Sequence, residues 1–481
     1  MIAIWIISGL VVVFVVFIAV LLIRAFLFKP PKLEPSVIED VPVNAERIIG
    51  NLAQMIRCKT VSFRDDTLVD EGEFEKFRAL LKQLYPTVHN MGEPKRLGPS
   101  GLLYSIRGKN SEKPVVFMSH YDVVPADEDA WDKPAFEGIL EDGVLWGRGT
   151  LDTKSTLLGV MEAAEQLLAQ GFKPESDLYF AFSGDEETGG TSAPAIVDEL
   201  YKRGVKPAMV LDEGGAVVEG IFPGLSKPCA LIGIAEKGIL DVELVIVGKG
   251  GHASAPPPHT PVGLLAQAVV RTEKSPFPFR LTTPVASMFR TLGRHSSFLY
   301  RIIFANLWCF MPVLDAICRK SGGELNAMLR TTCAFTMMEG SKAANVIPPE
   351  ATMCANLRII GGETTDGAIR RLKSLAKNPE ITFRPLYAMN PSPESKTSGS
   401  HWELLGNAIS QTWPEALVSP YLMVACSDSR HYCRISDSVY RFSAMTLSQE
   451  ERATIHGHNE RITTEAVIKT VQFYLRLMQN C

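Results

Sequence analysis

Three short apolar runs end abruptly in polar residues: "PVVFMS" before His120, "DLYFAFS" before Gly184 and "AMVL" before Asp212. Runs this short and continuously apolar are the pattern of strands covered on both faces. Between the first two lies "TKSTLLGVMEAAEQLLAQG", where Leu157, Met161, Ala164 and Leu168 recur at helical spacing and Gly171 supplies a stop. Strand, helix, strand predicts a doubly wound α/β sheet. Ligands of such sheets gather outside the carboxyl ends of the strands, which is where all three polar clusters fall.

The chain's 481 residues exceed what one core usually organises. After the sheet motifs, "ILDVELVIVGKGGHASAPP" opens with an alternating strand, a helical stretch begins near Val262, and "TTCAFTMMEG" and "ATMCANLRII" read as further strands. Residues 236–380 are therefore expected as an inserted α+β domain between two parts of the first, 44–235 and 381–481. "RFSAMT", "IHGHNERI" and a last helix from about Thr464 close the chain. A formal charge of -4 offers no basic surplus, which excludes nucleic acid as a partner. Nine cysteines without a CxxC pair exclude a disulfide framework and a cysteine-rich zinc site.

Residues 1–28 differ from the rest. Ile2 to Ile23 carry no charge, and about 22 helical residues at ~1.5 Å each span a hydrocarbon core of ~30 Å. A positive n-region, a shorter apolar stretch and a small-residue cleavage site are all lacking, so the segment is expected as an uncleaved transmembrane anchor. Arg24, Lys29 and Lys32 follow it, and on those three charges the positive-inside rule places the body in the cytoplasm. The proline-rich stretch 29–43 is expected as a spacer that holds the body off the bilayer. A second apolar run, 296–318, is bounded by Arg301 and Asp315 and is too short to span. It reads either as a buried helical insert or as a surface that meets lipid or an acyl chain.

At the strand ends stand His120 and Asp122 in "SHYDVVP", Asp152 in "GRGTLDTK", Glu186 and Glu187 in "SGDEETGG", Asp212 in "LDEGG" and His456 in "IHGHNE". An acidic run alone is a solvated loop face. Together with two histidines, these carboxylates form a set of nitrogen and oxygen donors suited to divalent metal, and two cations would offset the repulsion within the run.

With these motifs, and with "LRTTCAFTMMEGSKAANVIPPEA" and "DSRHY", the chain resembles the dinuclear zinc metallopeptidases that include aminoacylase, carnosinase, succinyl-diaminopimelate desuccinylase, glutamate carboxypeptidase and carboxypeptidase S. The likeness is nearest to carboxypeptidase S and to the peptidase that makes and hydrolyses N-acyl amino acids. It covers everything after the spacer. The resemblance implies a zinc exopeptidase sheet with an inserted ferredoxin-like domain serving as lid and dimerisation surface. It also implies two zinc ions per chain, with cobalt or manganese as substitutes. Asp152 would bridge the ions, His120 and Asp212 would complete one site, and Glu187 and His456 the other. The pattern His-Gly-x-Asn-Glu selects His456 over His458. A cis peptide is implied at Asp152-Thr153. Glu186 would be the general base and Asp122 would orient His120. His252 in "GKGGHASAPP" would donate to an oxyanion, often across a homodimer, while Arg358 and Asn345 would position substrate.

The expected activity is hydrolysis of a peptide or N-acyl amide bond beside a C-terminal amino acid. The sequence leaves open whether the substrate is a peptide or a fatty acyl amino acid. A catalytically dead binding protein is the alternative class, against which the intact ligand set speaks.

Overall fold

A computed structural model of the chain describes residues 2–31 and 41–481, so most of the expected spacer lies outside the described residues. The three apolar runs form strands Asn110–His120, Ser176–Ser183 and Met209–Val218 within an eight-stranded sheet. Across that sheet the order is Lys95–Leu97, Gly101–Ile106, Ser176–Ser183, Asn110–His120, Met209–Val218, Val439–Leu447, Cys229–Glu236 and Leu417–Met423. Asn110–His120 runs parallel to both its neighbours, while the Gly101–Ile106 edge is antiparallel, so the sheet is mixed.

Alternate side chains of the strands enter two cores. Phe117, Phe180 and Phe182 pack toward helices Lys154–Ala169 and Thr464–Gln479, and Val116, Met118 and Ala181 toward helix Ser192–Lys202 and the turn that carries Tyr432. The first two helices approach closely at Gly159, where an added Cβ would lie 2.7 Å from Thr470 and 2.8 Å from Tyr474. Glycine is required there for space. Every one of the nine cysteines is a free thiol.

A second, antiparallel sheet has the order Thr332–Glu339, Glu350–Ile359, Gly238–Val247 and Thr382–Met389. Its helices Pro261–Lys274 and Thr365–Ala376 bury their apolar stripes on one face of it, giving the βαββαβ path of a ferredoxin-like unit. The expected boundary at 380 is corrected by this pairing, because the edge strand Thr382–Met389 belongs to the second sheet. Four helices between Thr283 and Leu329 interrupt that unit. They join the core of the first sheet, through Val285, Phe289, Phe304 and Leu329.

Ile2–Leu27 is one helix, long and apolar enough to cross a membrane. It does not stand apart from the body. Leu21 and Ala25 are buried against helix Phe298–Ala305, Phe28 packs on the large core, and the Arg294 guanidinium lies 5.4 Å from the Phe28 ring. The expected stand-off is thus replaced by contact. The apolar run 296–318 is likewise not a buried insert, since Leu299, Trp308, Val313 and Ile317 are all more than half exposed.

Candidate metal centre

The carboxyl ends of the first sheet converge. His120 closes its strand, Asp152 precedes helix Lys154–Ala169 across a cis peptide to Thr153, and Glu186 and Glu187 form a 3-10 turn after Ser183. His456 follows helix Gln449–Thr454 in the left-handed backbone region, at φ 58°.

Asp152 is shared. Its Oδ1 lies 3.0 Å from His120 Nε2 and its Oδ2 3.0 Å from His456 Nε2. Glu213 Oε1 lies 3.3 Å from His120 Nε2, and Glu187 Oε2 lies 3.1 Å from His456 Nε2. Two triads result, His120–Asp152–Glu213 and Asp152–Glu187–His456, each with its donor atoms within 4.8 Å of one another.

Asp212, expected as a ligand, stands outside both triads. Neighbouring residues of a strand point to opposite sides, and Asp212 Oδ2 accepts the Ser429 backbone N–H at 3.0 Å. Glu213, absent from the expected set, stands at the triad in its place. The adjacent acid in "LDEGG" was the only signal for it.

Behind the triads, Asp122 is fully buried. Its carboxylate accepts from Ser62 Oγ at 2.7 Å, Glu186 N–H at 3.2 Å and Glu187 N–H at 3.1 Å, and faces His120 Nδ1 at 3.3 Å. It therefore fixes the acidic turn and the histidine ring together. Glu460, also fully buried, accepts from Gly149 N–H, Leu151 N–H and Arg148, and holds the loop before Asp152. The final residue of "HGHNE" signalled it. Asp428 of "DSRHY" pairs with Ser183 Oγ beside the acidic turn.

Crowded carboxylates set the electrostatics. Burial, opposed by His120 and reinforced by Asp428, Glu213 and Glu187, pushes Glu186 well above the usual carboxylate range. Burial and the charge of Asp152 raise Glu213 to about 8, and burial also raises Glu187. Burial alone would raise Asp152, yet the hydrogen bonds from His120 and His456 hold it below its ordinary value. His456, bonded to Asp152 and Glu187, is raised to about 10. Such an excess of negative charge calls for cations. Glu187 Oε1 is shut off from water without a hydrogen-bond partner among the described residues, an orphaned acceptor that fits a metal ligand.

Of the remaining expected residues, Arg358 lies on the second sheet and the other two lie on or beside a separate ribbon. His252 and Asn345 share a two-stranded ribbon, in which His252 pairs with Val346 and the Ala253 N–H donates to Asn345 O at 2.9 Å. His252 is exposed, and its Nδ1 meets Ser254 Oγ at 2.7 Å. Arg358 lies near the opposite end of strand Glu350–Ile359, with its Nη1 3.7 Å from Cys426 Sγ. Arg358 lies eight residue steps along the strand from Glu350, roughly 26 Å at ~3.3 Å each. The structure thus brings the two triads together but leaves His252 apart from Arg358. Arg430 of "DSRHY", its side chain largely covered, borders Cys426 as Arg358 does, with its Nη2 donating to Asn390 O at 3.0 Å and its Nη1 without a partner among the described residues.

A mixed α/β sheet that gathers two histidines and several acids at its strand ends defines a metal-dependent hydrolase. The chain belongs to peptidase family M20/M25/M40, which matches residues 116–480. It is 35% identical over 467 residues to the probable carboxypeptidase S-like 2 of Dictyostelium discoideum, covering 95% of this chain and 90% of that protein. It is also 35% identical over 477 residues to the N-fatty-acyl-amino acid synthase/hydrolase PM20D1 of Xenopus tropicalis, covering 97% and 93%. Among solved structures, the M20 family metallo-carboxypeptidase Sso-CP2 of Sulfolobus solfataricus shares the fold, with a TM-score of 0.65 at 18% identity over 90% of this chain and 98% of its own.

Proposed function

We propose that the protein is a membrane-anchored dinuclear zinc hydrolase that cleaves a peptide or N-acyl amide bond next to a C-terminal amino acid. The observation that carries this reading is the pair of triads sharing Asp152. His120, Asp152 and Glu213 would hold one metal, with Glu213 in place of the expected Asp212, and Asp152, Glu187 and His456 the other. The donor set suits zinc and admits cobalt or manganese. When bound, such a metal pair polarises a carbonyl oxygen and lowers the pKa of water toward ~7.

Glu186 takes the proton of the attacking water on its carboxylate and passes it to the leaving nitrogen. Asp122 holds the turn that aims Glu186, through the Glu186 N–H. Arg358, with Arg430 nearby, would grip the substrate's free carboxylate, and Asn345 would help position substrate. His252 would donate to the developing oxyanion. Closure of the second sheet as a lid would carry His252 and Arg358 together and leave their separation unchanged, so supply of the histidine from the other subunit of a homodimer would bring it to a substrate held by Arg358.

Between the two substrate classes, the exposed apolar helices near 298–321 favour fatty acyl amino acids, the substrates named for one of the relatives. The test is metal analysis of the purified chain with kcat/KM for dipeptides, for N-acyl amino acids and for their carboxamides. Two metals per chain and a preference for free acids over amides of roughly 10- to 150-fold are expected, the equivalent of one charge-assisted contact. Equal rates on acid and amide would remove Arg358 from its role. A chain that binds no metal and turns over none of these substrates would be the binding protein instead.

A further inference from the structure

Helices Phe298–Ala305 and Leu307–Ser321 meet at 105° around Asn306. One side of the bend is fastened to the body. The Phe304 ring lies 4.7 Å from Phe222 and 5.6 Å from Phe289, and Asp315 pairs with Arg319 and with the buried Arg330. The other side carries exposed Leu299, Trp308, Val313 and Ile317. Single exposed apolar side chains need no explanation, but a fixed, contiguous set does.

What covers this face follows from its neighbour. The Arg24 guanidinium donates to Ala305 O at 3.2 and 3.0 Å, closing the end of the first bent helix, and Asn306 Nδ2 donates to Leu21 O at 3.1 Å and to Ile302 O at 2.9 Å. Phe17 and Trp308 pack edge to face with centroids 6.0 Å apart. Polar side chains bonding to the backbone of an adjacent apolar helix are a device of helix packing in lipid. Phe17 lies ten residues before Leu27, about 15 Å along the helix axis, which is half of a hydrocarbon core of ~30 Å. If Ile2–Leu27 spans the bilayer, Trp308 beside Phe17 is therefore inside one leaflet, where neither a soluble protein nor water can reach it. Lys29, Arg319 and Lys320 are exposed at the ends of these helices, the side chains expected where apolar surface gives way to headgroups.

We propose that the bent pair dips into the leaflet beside the N-terminal helix, with lipid acyl chains covering its exposed face, and that it seats the catalytic body on the bilayer. The pair continues directly into helix Gly323–Leu329. The Ala327 carbonyl in that helix and the Arg330 carbonyl just beyond it accept from Lys237 Nζ at 2.8 Å each, where the first sheet hands over to the second. The membrane seat is thus tied to the joint between the two sheets.

This inference rests on the reading of Ile2–Leu27 as a membrane span, and one experiment separates the two. The full chain is reconstituted into phosphatidylcholine–phosphatidylserine vesicles carrying bromine on the acyl chains, and the fluorescence of Trp308 is obtained by difference against Trp308→Phe. Vesicles should carry the protein on flotation, and the Trp308 component should be quenched by brominated lipid and protected from aqueous acrylamide. Leu299→Glu with Ile317→Glu should weaken the bromine quenching while the protein still floats. Failure to float would overturn the span and the seat together. Flotation with Trp308 open to acrylamide and unaffected by bromine would overturn the seat alone. Trp308 shielded from both quenchers would show that a second copy or another part of the chain covers the face, and would also overturn it.

Discussion

The two triads and the His252 ribbon are built in opposite ways. The triads draw His120 and Glu213 from two strands of the first sheet and Asp152, Glu187 and His456 from the turns and loops beside it, hold them at 3.0 to 3.3 Å and back them with the buried carboxylates of Asp122 and Glu460. His252 sits on a two-residue strand in the open, its side chain bonded only within its own turn among the described residues. A metal centre must exist before substrate arrives, so its ligands are over-determined. A donor to a developing oxyanion is needed only during reaction, and can be delivered by a mobile element.

The largest effect should come from the acidic turn. Glu186→Gln keeps shape but cannot take a proton, so kcat should fall by up to about 10⁴-fold with metal content unchanged. Glu187→Gln and Glu213→Gln should instead lower metal content, with added zinc restoring part of the activity, whereas Asp212→Asn should keep both metals. Metal analysis beside steady-state kinetics reads all four. Metal loss in Asp212→Asn with none in Glu213→Gln would restore the ligand first expected from the sequence.

That reversal marks how far the sequence could be read. His120 and Glu187 were legible because each follows an apolar run that forms a strand of the first sheet, whereas Asp152 and His456 stand on loops, one before a helix and one after, and were legible only from their motifs. Asp212 and Glu213 are adjacent on one strand, and Asp212 Oδ2 is occupied by the N–H of Ser429, 217 residues later. No local pattern encodes that. The second sheet was legible from its alternating strands, but Thr382–Met389 was assigned to the wrong sheet. Its pairing with Gly238–Val247 is long-range and irregular between Pro385 and Tyr387. The contact of Leu21 with Asn306 spans 285 residues and was equally invisible.

Next in size, His252→Ala should lose about 10²- to 10³-fold in kcat, the cost typical of one oxyanion donor, while keeping both metals. If the histidine crosses between subunits, mixed dimers of His252→Ala and Glu186→Gln chains should regain activity that neither parent shows. Metal loss in His252→Ala would erase the contrast between ribbon and triads. A smaller loss should follow Asp122→Asn. Its carboxylate is the shared backing of His120, Glu186 and Glu187, and such partners are worth about 10- to 100-fold in metal affinity. A titration showing unchanged affinity in Asp122→Asn would make the backing dispensable.

The smallest effect should appear at the joint between the two regions. Burial, aided by the charge of Arg358 and opposed by Glu363, lowers Lys237 to about 7 from its ordinary 10.5. The neutral amine can still donate to the Ala327 and Arg330 carbonyls. Between pH 7 and 10.5 the folded chain therefore holds one proton fewer at this site than the unfolded chain, which takes one up on opening. Stability from this group must rise with pH through that window and level off on either side of it. In Lys237→Met the contribution disappears, so the slope of unfolding free energy between pH 7.5 and 9.5 should fall by up to about 1.4 kcal/mol per pH unit, the value for one proton. The substitution also strands two carbonyls and lowers stability at every pH, so the slope rather than the midpoint is the diagnostic. Denaturant titrations across that range, run on both chains, read it directly. Identical slopes would mean that Lys237 keeps its proton in the folded chain, held as an ammonium by those carbonyls. The joint would then be clamped by a charge instead of a neutral contact that pH leaves untouched above 7.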